Sequence, residues 1–148
     1  MHILTPPLKT QGIKTKLVPW ILSLVPDVPG RWIEPFLGSG VVALNTGFGE
    51  AVLADTNPHI IEFYRAVQRG RITPETTRAY LEREGELLRR AGNDGYDHYN
   101  LIKERFNRER DPLDFLFLSR AGFNGMIRFN KRGEWNIPFC KKPGRFRK

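Results

Sequence analysis

Arg31-Trp32-Ile33-Glu34-Pro35-Phe36-Leu37-Gly38-Ser39-Gly40-Val41-Val42-Ala43, with Ala51-Val52-Leu53-Ala54-Asp55 downstream, is the stretch that decides the fold. Arg31 to Phe36 reads as a short strand running into a glycine loop. Gly40 to Thr46 reads as a short helix, punctuated by Gly47 and Gly49. Ala51 to Asp55 reads as a second apolar strand. Strand, glycine loop, helix, strand is the start of a βαβ unit and predicts a parallel sheet. Glycines let the backbone approach a ligand, and a helix N-terminus offers N–H groups without partners. Asp55 ends the second strand, where a carboxylate can take both hydroxyls of a ribose. Gly38-x-Gly40-x-x-Ala43 with a downstream acid fits any adenosine cofactor, so spacing alone does not separate NAD from S-adenosylmethionine. A tight turn without a ligand, with Asp55 capping the helix start at Asn57-Pro58-His59, is the plain structural alternative.

Upstream, Lys14 to Val25 predicts a helix, with Leu17, Trp20, Ile21, Leu24 and Val25 near a 3.6 period; Pro19 interrupts it. Downstream, the pattern turns helical from Pro58 to Ser119. Ile60, Ile61, Phe63, Tyr64 and Val67 mark one helix. Thr73-Pro74-Glu75 opens another, with a Thr cap and Pro in the first turn, running to about Arg90. Ala91 to Gly95 breaks it, Tyr96 to Asn107 forms a third, and Asp111-Pro112-Leu113-Asp114 opens a fourth. Ile127 to Phe139 alternates around Lys131-Arg132-Gly133 and predicts a β-hairpin. Two regions follow: 1–57, an incomplete cofactor-binding part of an α/β domain, and 58–148, a helical region with a basic hairpin. With two sheet strands, the α/β part reads as half of a domain.

The charge is uneven. Lys and Arg number 24 against 16 Asp and Glu, for a net charge of +8. Between Arg128 and Lys148 the only acid is Glu134. Such an excess suits a polyanion, because each neutralised phosphate releases counterions. No long amphipathic basic helix points to a membrane surface, and no apolar run approaches the roughly 20 residues of a membrane helix. Cys140 is the single cysteine, which suits a reducing compartment, and the first residues lack a signal-peptide pattern. The expected location is therefore the cytoplasm. His2, His59 and His98 have no metal-ligand spacing and are expected at surfaces or caps, so no metal is expected.

Glu34-Pro35-Phe36-Leu37-Gly38-Ser39-Gly40 resembles the cofactor loop of the Dam-type DNA adenine-N6 methyltransferases. Leu8-Lys9-Thr10-Gln11-Gly12-Ile13-Lys14 resembles the segment that precedes it in that family, and Leu53-Ala54-Asp55-Thr56-Asn57 its acid block. The run from Ser119-Arg120-Ala121-Gly122-Phe123-Asn124-Gly125 through Arg128 to Asn136-Ile137-Pro138-Phe139 resembles the DNA-contacting segment nearly throughout. The resemblance implies a partial Rossmann-like S-adenosylmethionine-dependent methyltransferase fold with a helical, hairpin-containing DNA-recognition insert. It implies S-adenosylmethionine as cofactor, held by Lys14, Glu34, Pro35, Phe36, Gly38, Gly40 and Asp55, with Glu34 toward the cofactor's ammonium. It implies duplex DNA as partner in a prokaryotic or phage-infected cell. Lys9 and Arg128 would make base contacts, arginine to guanine being the commonest specific pairing, which suits a target such as GATC. Phe123 and Asn124 would face the gap left by an extruded adenine, and Arg120 and Lys131 would hold phosphates. Thr10 stands where many members have an aromatic residue, and Cys140 where many have glycine.

The family's catalytic Asp-Pro-Pro-Tyr is absent from the 148 residues. Asn57-Pro58-His59-Ile60 and Asp111-Pro112-Leu113-Asp114 read as helix starts, and Asn136-Ile137-Pro138-Phe139 falls inside the DNA-segment block. No catalytic residue is therefore assigned. The expectation is a truncated product, a fragment, or one part of a split enzyme complemented by a chain that carries the tetrapeptide. The alternatives are a catalytically inactive DNA-binding remnant and an NAD-binding half-domain. The sequence does not separate restriction-modification from mismatch marking or phage defence.

Overall fold

The computed structural model describes residues 2–146; Arg147 and Lys148, the end of the basic stretch, lie outside them. Helix α1 (Val18–Ser23) precedes strands β1 (Trp32–Glu34) and β2 (Ala51–Leu53), and four helices follow: α2 (Pro58–Gln68), α3 (Pro74–Arg90), α4 (Tyr96–Glu109) and α5 (Pro112–Ala121). The chain is thus a mixed α/β protein. As expected, β1 and β2 are parallel, in the register Trp32↔Ala51, Ile33↔Val52, Glu34↔Leu53. Ala54 N–H donates to Glu34 O and Leu37 N–H to Ala54 O, both at 2.9 Å, so the pairing continues into the glycine loop. Both strands therefore deliver their C-terminal ends, and the residues expected to bind ligand, to one edge.

Three expectations are corrected. The helix expected over Lys14 to Val25 is a 3₁₀ turn at Thr15–Leu17 followed by α1, which ends at Ser23. Pro19 falls in its first turn, where a missing N–H costs nothing. The helix expected over Gly40 to Thr46 is one 3₁₀ turn, Ala43–Asn45. Asn45 Nδ2 donates to Val41 O and to Leu4 O, and Thr46 Oγ1 to Ala43 O, so side chains take carbonyls that a longer helix would use. Gly47, at φ +74°, then turns the chain. The third correction concerns the hairpin. Its limbs pair antiparallel as expected, with Asn130 N–H donating to Glu134 O and Asn136 N–H to Arg128 O around the bridge Phe129↔Trp135, but they form no regular strands, and a second bridge, Gly122↔Phe139, ties the far limb to the end of α5. Its second limb still alternates: Trp135, Ile137 and Phe139 are buried while Asn136 and Pro138 are exposed. Asn130 shapes the turn, its Oδ1 accepting from Arg132 and Glu134 N–H at 2.9 and 3.0 Å.

The helical region is capped as its sequence suggests. Asn57 accepts from His59 N–H, Thr73 forms a capping box with Thr76, and Asp111 accepts from Leu113 and Asp114 N–H. Helix α5 is central, with Phe115 through Ser119 wholly inaccessible. Residues buried on every side mark a helix surrounded by others. The main core joins α2 to α5 with Trp135, Ile137 and Phe139 of the hairpin and with Leu8 and Leu37 of the first region. Val18, Val41 and Val42 form a smaller core under the glycine loop. A buried polar cluster locks three helices together. The Asp114 carboxylate of α5 accepts from Tyr80 of α3 and pairs with Arg105 of α4 at 2.6 Å, while Glu84 of α3 contacts His98 of α4 at 2.9 Å. Among the described residues no helix is long and apolar enough to cross a membrane, and no group of three or more His, Cys, Asp or Glu side chains could hold a metal.

Candidate functional site

The two loop glycines do different work. Gly38 (φ +53°) and Gly40 (φ +78°) both take the left-handed conformation that costs other residues strain. A Cβ on Gly38 would meet nothing within 4 Å, because that position opens onto the cleft. A Cβ on Gly40 would lie 2.9 Å from the Tyr64 hydroxyl oxygen. Tyr64, reaching up from α2, donates its hydroxyl to Ser39 O. Burial, reinforced by the charge of Glu34, pushes the Tyr64 hydroxyl far above its ordinary value, so it stays a donor. Gly40 therefore admits the side chain that holds the loop from behind. Nothing in the local sequence of Tyr64 announced this; a tyrosine at an apolar position of α2 reads only as core.

Asp55 faces the loop directly. Its Oδ2 accepts from Gly38 N–H at 2.7 Å and its Oδ1 from Asn57 N–H at 2.8 Å. The helix cap is Asn57, whose Oδ1 takes His59 N–H at 3.0 Å. The carboxylate thus ties the glycine loop, the end of β2 and the start of α2 together, and each oxygen keeps a further lone pair for a ligand. Because the expected helix after the loop is a single turn, oriented loop amides rather than a long helix dipole present the donors here.

These groups line a cleft of about 690 Å³, inside the range of small-molecule and cofactor sites. Lys14, Glu34, Phe36, Gly38 and Asp55 border it; Pro35 and Gly40 do not, Gly40 being turned toward Tyr64. Glu34 Oε2 accepts from the Trp32 indole at 3.0 Å, and its Oε1 has no hydrogen bond among the described residues. Lys14 Nζ donates to Gly12 O at 2.6 Å. Phe36 is 81% exposed, an aromatic face standing open at the rim. The donors and acceptors of this edge, with Ile60, Val41 and Val42 as apolar backing, fit an adenosine-bearing cofactor with an amino-acid end.

The opposite wall belongs to the hairpin: Met126, Ile127 and Arg128. Arg128 is exposed and donates to Asn136 O at 3.1 Å. Lys9, Phe123 and Asn124 gather instead around a separate hollow. Gln11 N–H bonds to Gly125 O at 3.0 Å, and the stem of Lys9 passes so close to Gly125 (φ +64°) that a Cβ there would sit 3.0 Å from it. Phe123 is half exposed, and Asn124 has the left-handed φ of +54°. Arg120, expected at a phosphate, is half-buried and donates to Pro7 O at 3.1 Å, bracing the N-terminal segment against α5. Lys131 stands exposed on the turn. Lys142, not singled out by its sequence context, joins Lys9, Phe123 and Asn124 around a smaller hollow of about 250 Å³.

Each of the three tetrapeptides that distantly resemble a catalytic motif makes contacts of the fold. Asn57-Pro58 and Asp111-Pro112 start helices. In Asn136-Ile137-Pro138-Phe139, the Ile137 carbonyl accepts from Tyr99, and Phe139 is buried, stacked on Tyr99 at 5.1 Å.

A parallel strand pair with a cleft of about 690 Å³ at its C-terminal ends, lined also by Met126, Ile127 and Arg128, defines a mixed α/β protein with a concave candidate ligand site. The chain belongs to the D12 class N6 adenine-specific DNA methyltransferase family, which it matches over residues 11–148. It is 38% identical over 120 residues to the DNA adenine methylase of Escherichia coli (strain K12), covering 78% of this chain and 39% of that protein. It is 37% identical over 142 residues to the DNA adenine methylase of Vibrio cholerae serotype O1 (strain ATCC 39315 / El Tor Inaba N16961), covering 92% and 48%. Against the Haemophilus influenzae DNA adenine methylase it is 33% identical over 138 residues, covering 90% and 46%. The chain spans less than half the length of these curated relatives.

Proposed function

We propose that this chain is the cofactor-binding and DNA-recognising part of an adenine-N6 DNA methyltransferase. Residues 1–57 belong to a partial Rossmann-like S-adenosylmethionine domain, and 58–148 form the DNA-recognition region. The observation that carries this reading is the convergence, across one cleft, of the Gly38–Asp55 edge with the Arg128 wall. S-adenosylmethionine, when bound, supplies the sulfonium methyl group. Asp55 accepts the ribose hydroxyls, Glu34 Oε1 accepts the ammonium, Phe36 covers the rim, and Lys14 neutralises the cofactor's carboxylate. Arg128 and Lys9 read guanine edges of duplex DNA, Phe123 and Asn124 occupy the gap left by the extruded adenine, and Lys131 with the basic tail holds phosphates. The acid and aromatic of Asp-Pro-Pro-Tyr, which hold the adenine amine in this family, come from polypeptide outside these 148 residues. A complementing chain carrying that motif is one such source. The location proposed is the cytoplasm of a prokaryotic or phage-infected cell.

The test is calorimetric titration of the 148-residue chain with S-adenosylhomocysteine and with NAD, and of its DNA binding across a salt series. Binding of S-adenosylhomocysteine but not NAD, with DNA affinity falling steeply in salt, supports the reading. Methyl transfer should appear only when the unmatched portion of the Escherichia coli relative is added. Preference for NAD, or robust turnover by the chain alone, overturns it.

A further inference from the structure

The two walls of the cleft meet at a side chain that does not line it. His59 sits in the first turn of α2, directly after the Asn57 cap that hangs on Asp55. Its ring packs on Phe129 of the hairpin with centroids 4.8 Å apart, edge-on to Phe106 of α4 at 5.1 Å, and against Phe115 of α5 at 5.8 Å. Its sequence neighbours Asn57 and Ile60 line the cleft from one side; Ile127 and Arg128, next to Phe129, line it from the other. Phe129 is held in turn by its bridge to Trp135. Helix α4 grips the same hairpin further along: Asn107 accepts from Trp135 N–H at 2.7 Å, and Arg110 donates to Gly133 O at 2.8 Å.

We propose that His59 is a positioning residue that links the cofactor edge of the cleft to the DNA-reading hairpin, so that binding at one strengthens binding at the other. The proposal rests on the functional reading above. A nucleoside held by Gly38 and Asp55 restrains the turn from Asp55 to Asn57. That turn sets the first turn of α2, and the His59 ring passes the restraint by direct packing to Phe129 and so to Arg128. Coupling of this kind is a free energy shared by two sites, and it is reciprocal. A contiguous chain of packed groups is its physical carrier.

The experiment uses the whole chain. Affinity for a labelled GATC duplex is measured with and without saturating S-adenosylhomocysteine, and affinity for S-adenosylhomocysteine with and without the duplex. The expected result is a tightening of about 10-fold in both directions, inside the usual range for coupled sites. His59→Ala should bring that factor to about one while S-adenosylhomocysteine affinity without DNA stays within about twofold. His59→Phe, which restores an aromatic ring against Phe129, should recover most of the factor. A merely structural role for His59 would lower melting temperature and both affinities without changing the factor. Phe129→Leu, cut from the other side of the contact, should reduce the factor too and serves as the readout should His59→Ala fail to fold. An unchanged factor in any folded variant of either contact residue except His59→Phe overturns the proposal, as does a factor of one in the parent chain. Failure of the parent chain to bind S-adenosylhomocysteine or DNA at all overturns the functional reading itself, and the two failures are thereby distinguished.

Discussion

Replacing each loop glycine by alanine should separate the two roles that the loop's geometry assigns them. In Gly40→Ala the new methyl carbon lies 2.9 Å from the Tyr64 hydroxyl oxygen and 3.1 Å from Cζ, at a φ of +78°. The left-handed conformation costs an L-residue roughly 1–2 kcal/mol. Displacing Tyr64 from Ser39 O forfeits a net hydrogen bond of about 1 kcal/mol. The total is about 2–3 kcal/mol, which for a chain of this size is roughly a 5–10 °C fall in Tm. Gly38→Ala carries only the conformational cost, because its methyl meets nothing. That methyl instead projects into the cleft, so this variant should melt nearer the parent and lose nucleoside binding. Tyr64→Phe supplies the control, since without the hydroxyl the cost of Gly40→Ala should shrink by about 1 kcal/mol, as expected for neighbours that couple. Differential scanning calorimetry of the four variants with titration of S-adenosylhomocysteine reads both effects. Equal Tm losses for Gly38→Ala and Gly40→Ala, or a cost at Gly40 that ignores Tyr64, would refute the reasoning.

Asp55→Ala removes the carboxylate proposed to take the ribose hydroxyls and should weaken S-adenosylhomocysteine by about 1.5–3 kcal/mol, roughly 10–150-fold by calorimetry, as for hydrogen bonds to charged groups. Asp114→Ala removes the acceptor shared by Tyr80 and Arg105, leaving Arg105 only Tyr80 and the longer Glu84 contact, and should cost up to about 3–5 kcal/mol in urea unfolding, as for other broken buried pairs. Arg128→Ala should erase about 1–3 kcal/mol of discrimination between cognate and altered duplexes, whereas Lys131→Ala should weaken all duplexes alike and lower the salt slope by about one. Burial, with the charge of Arg110, holds His59 below its ordinary value of 6.5. The unfolded chain therefore takes the proton first as pH falls. The stability that His59 contributes is complete above pH 6.5 and is lost as pH drops through the folded-state value. Between about pH 7.5 and pH 5.5 the parent should lose more Tm than His59→Phe.

Elements with a strong local signal were legible in the sequence. Gly38, Gly40 and Asp55 marked the parallel pair, and Asn57, Thr73 and Asp111 marked helix starts, because caps and glycine turns are decided by residues a few positions apart. Gly40 to Thr46 was misread because its apolar period is real while its carbonyls go to Asn45 and Thr46 side chains. The hairpin was right in alternation and in its antiparallel pairing next to the turn, and wrong in the extent of its strands. Burial of Trp135, Ile137 and Phe139 imposes the period, while the Trp135 N–H, which faces away from the Phe129 limb, goes to Asn107 of a distant helix rather than to a third strand. Tyr64 behind the loop, Arg120 on Pro7 and His59 among three phenylalanines depend on partners far along the chain, so no local pattern could disclose them.

The distribution of support within the molecule argues that ligand binding and chemistry are separable here. The glycine loop is held by several residues of this chain: Asp55 on Gly38 N–H, Tyr64 on Ser39 O, Ala54 on Leu37 N–H. The hairpin is likewise docked by Asn107, Arg110 and Tyr99. What lacks cover is the sheet itself, where Ile33 is 64% and Val52 46% exposed in strands that, among the described residues, pair only with each other. Unpaired edges and open apolar faces are what a larger parallel sheet would cover. On the proposed reading, cofactor and DNA sites that are already braced need no further strand to bind, whereas the adenine amine would still have to be held by groups these residues do not contain. Nucleoside and DNA affinity should therefore persist in the 148-residue chain when methyl transfer is nil, and added polypeptide that restores transfer should raise the rate without first being needed for binding.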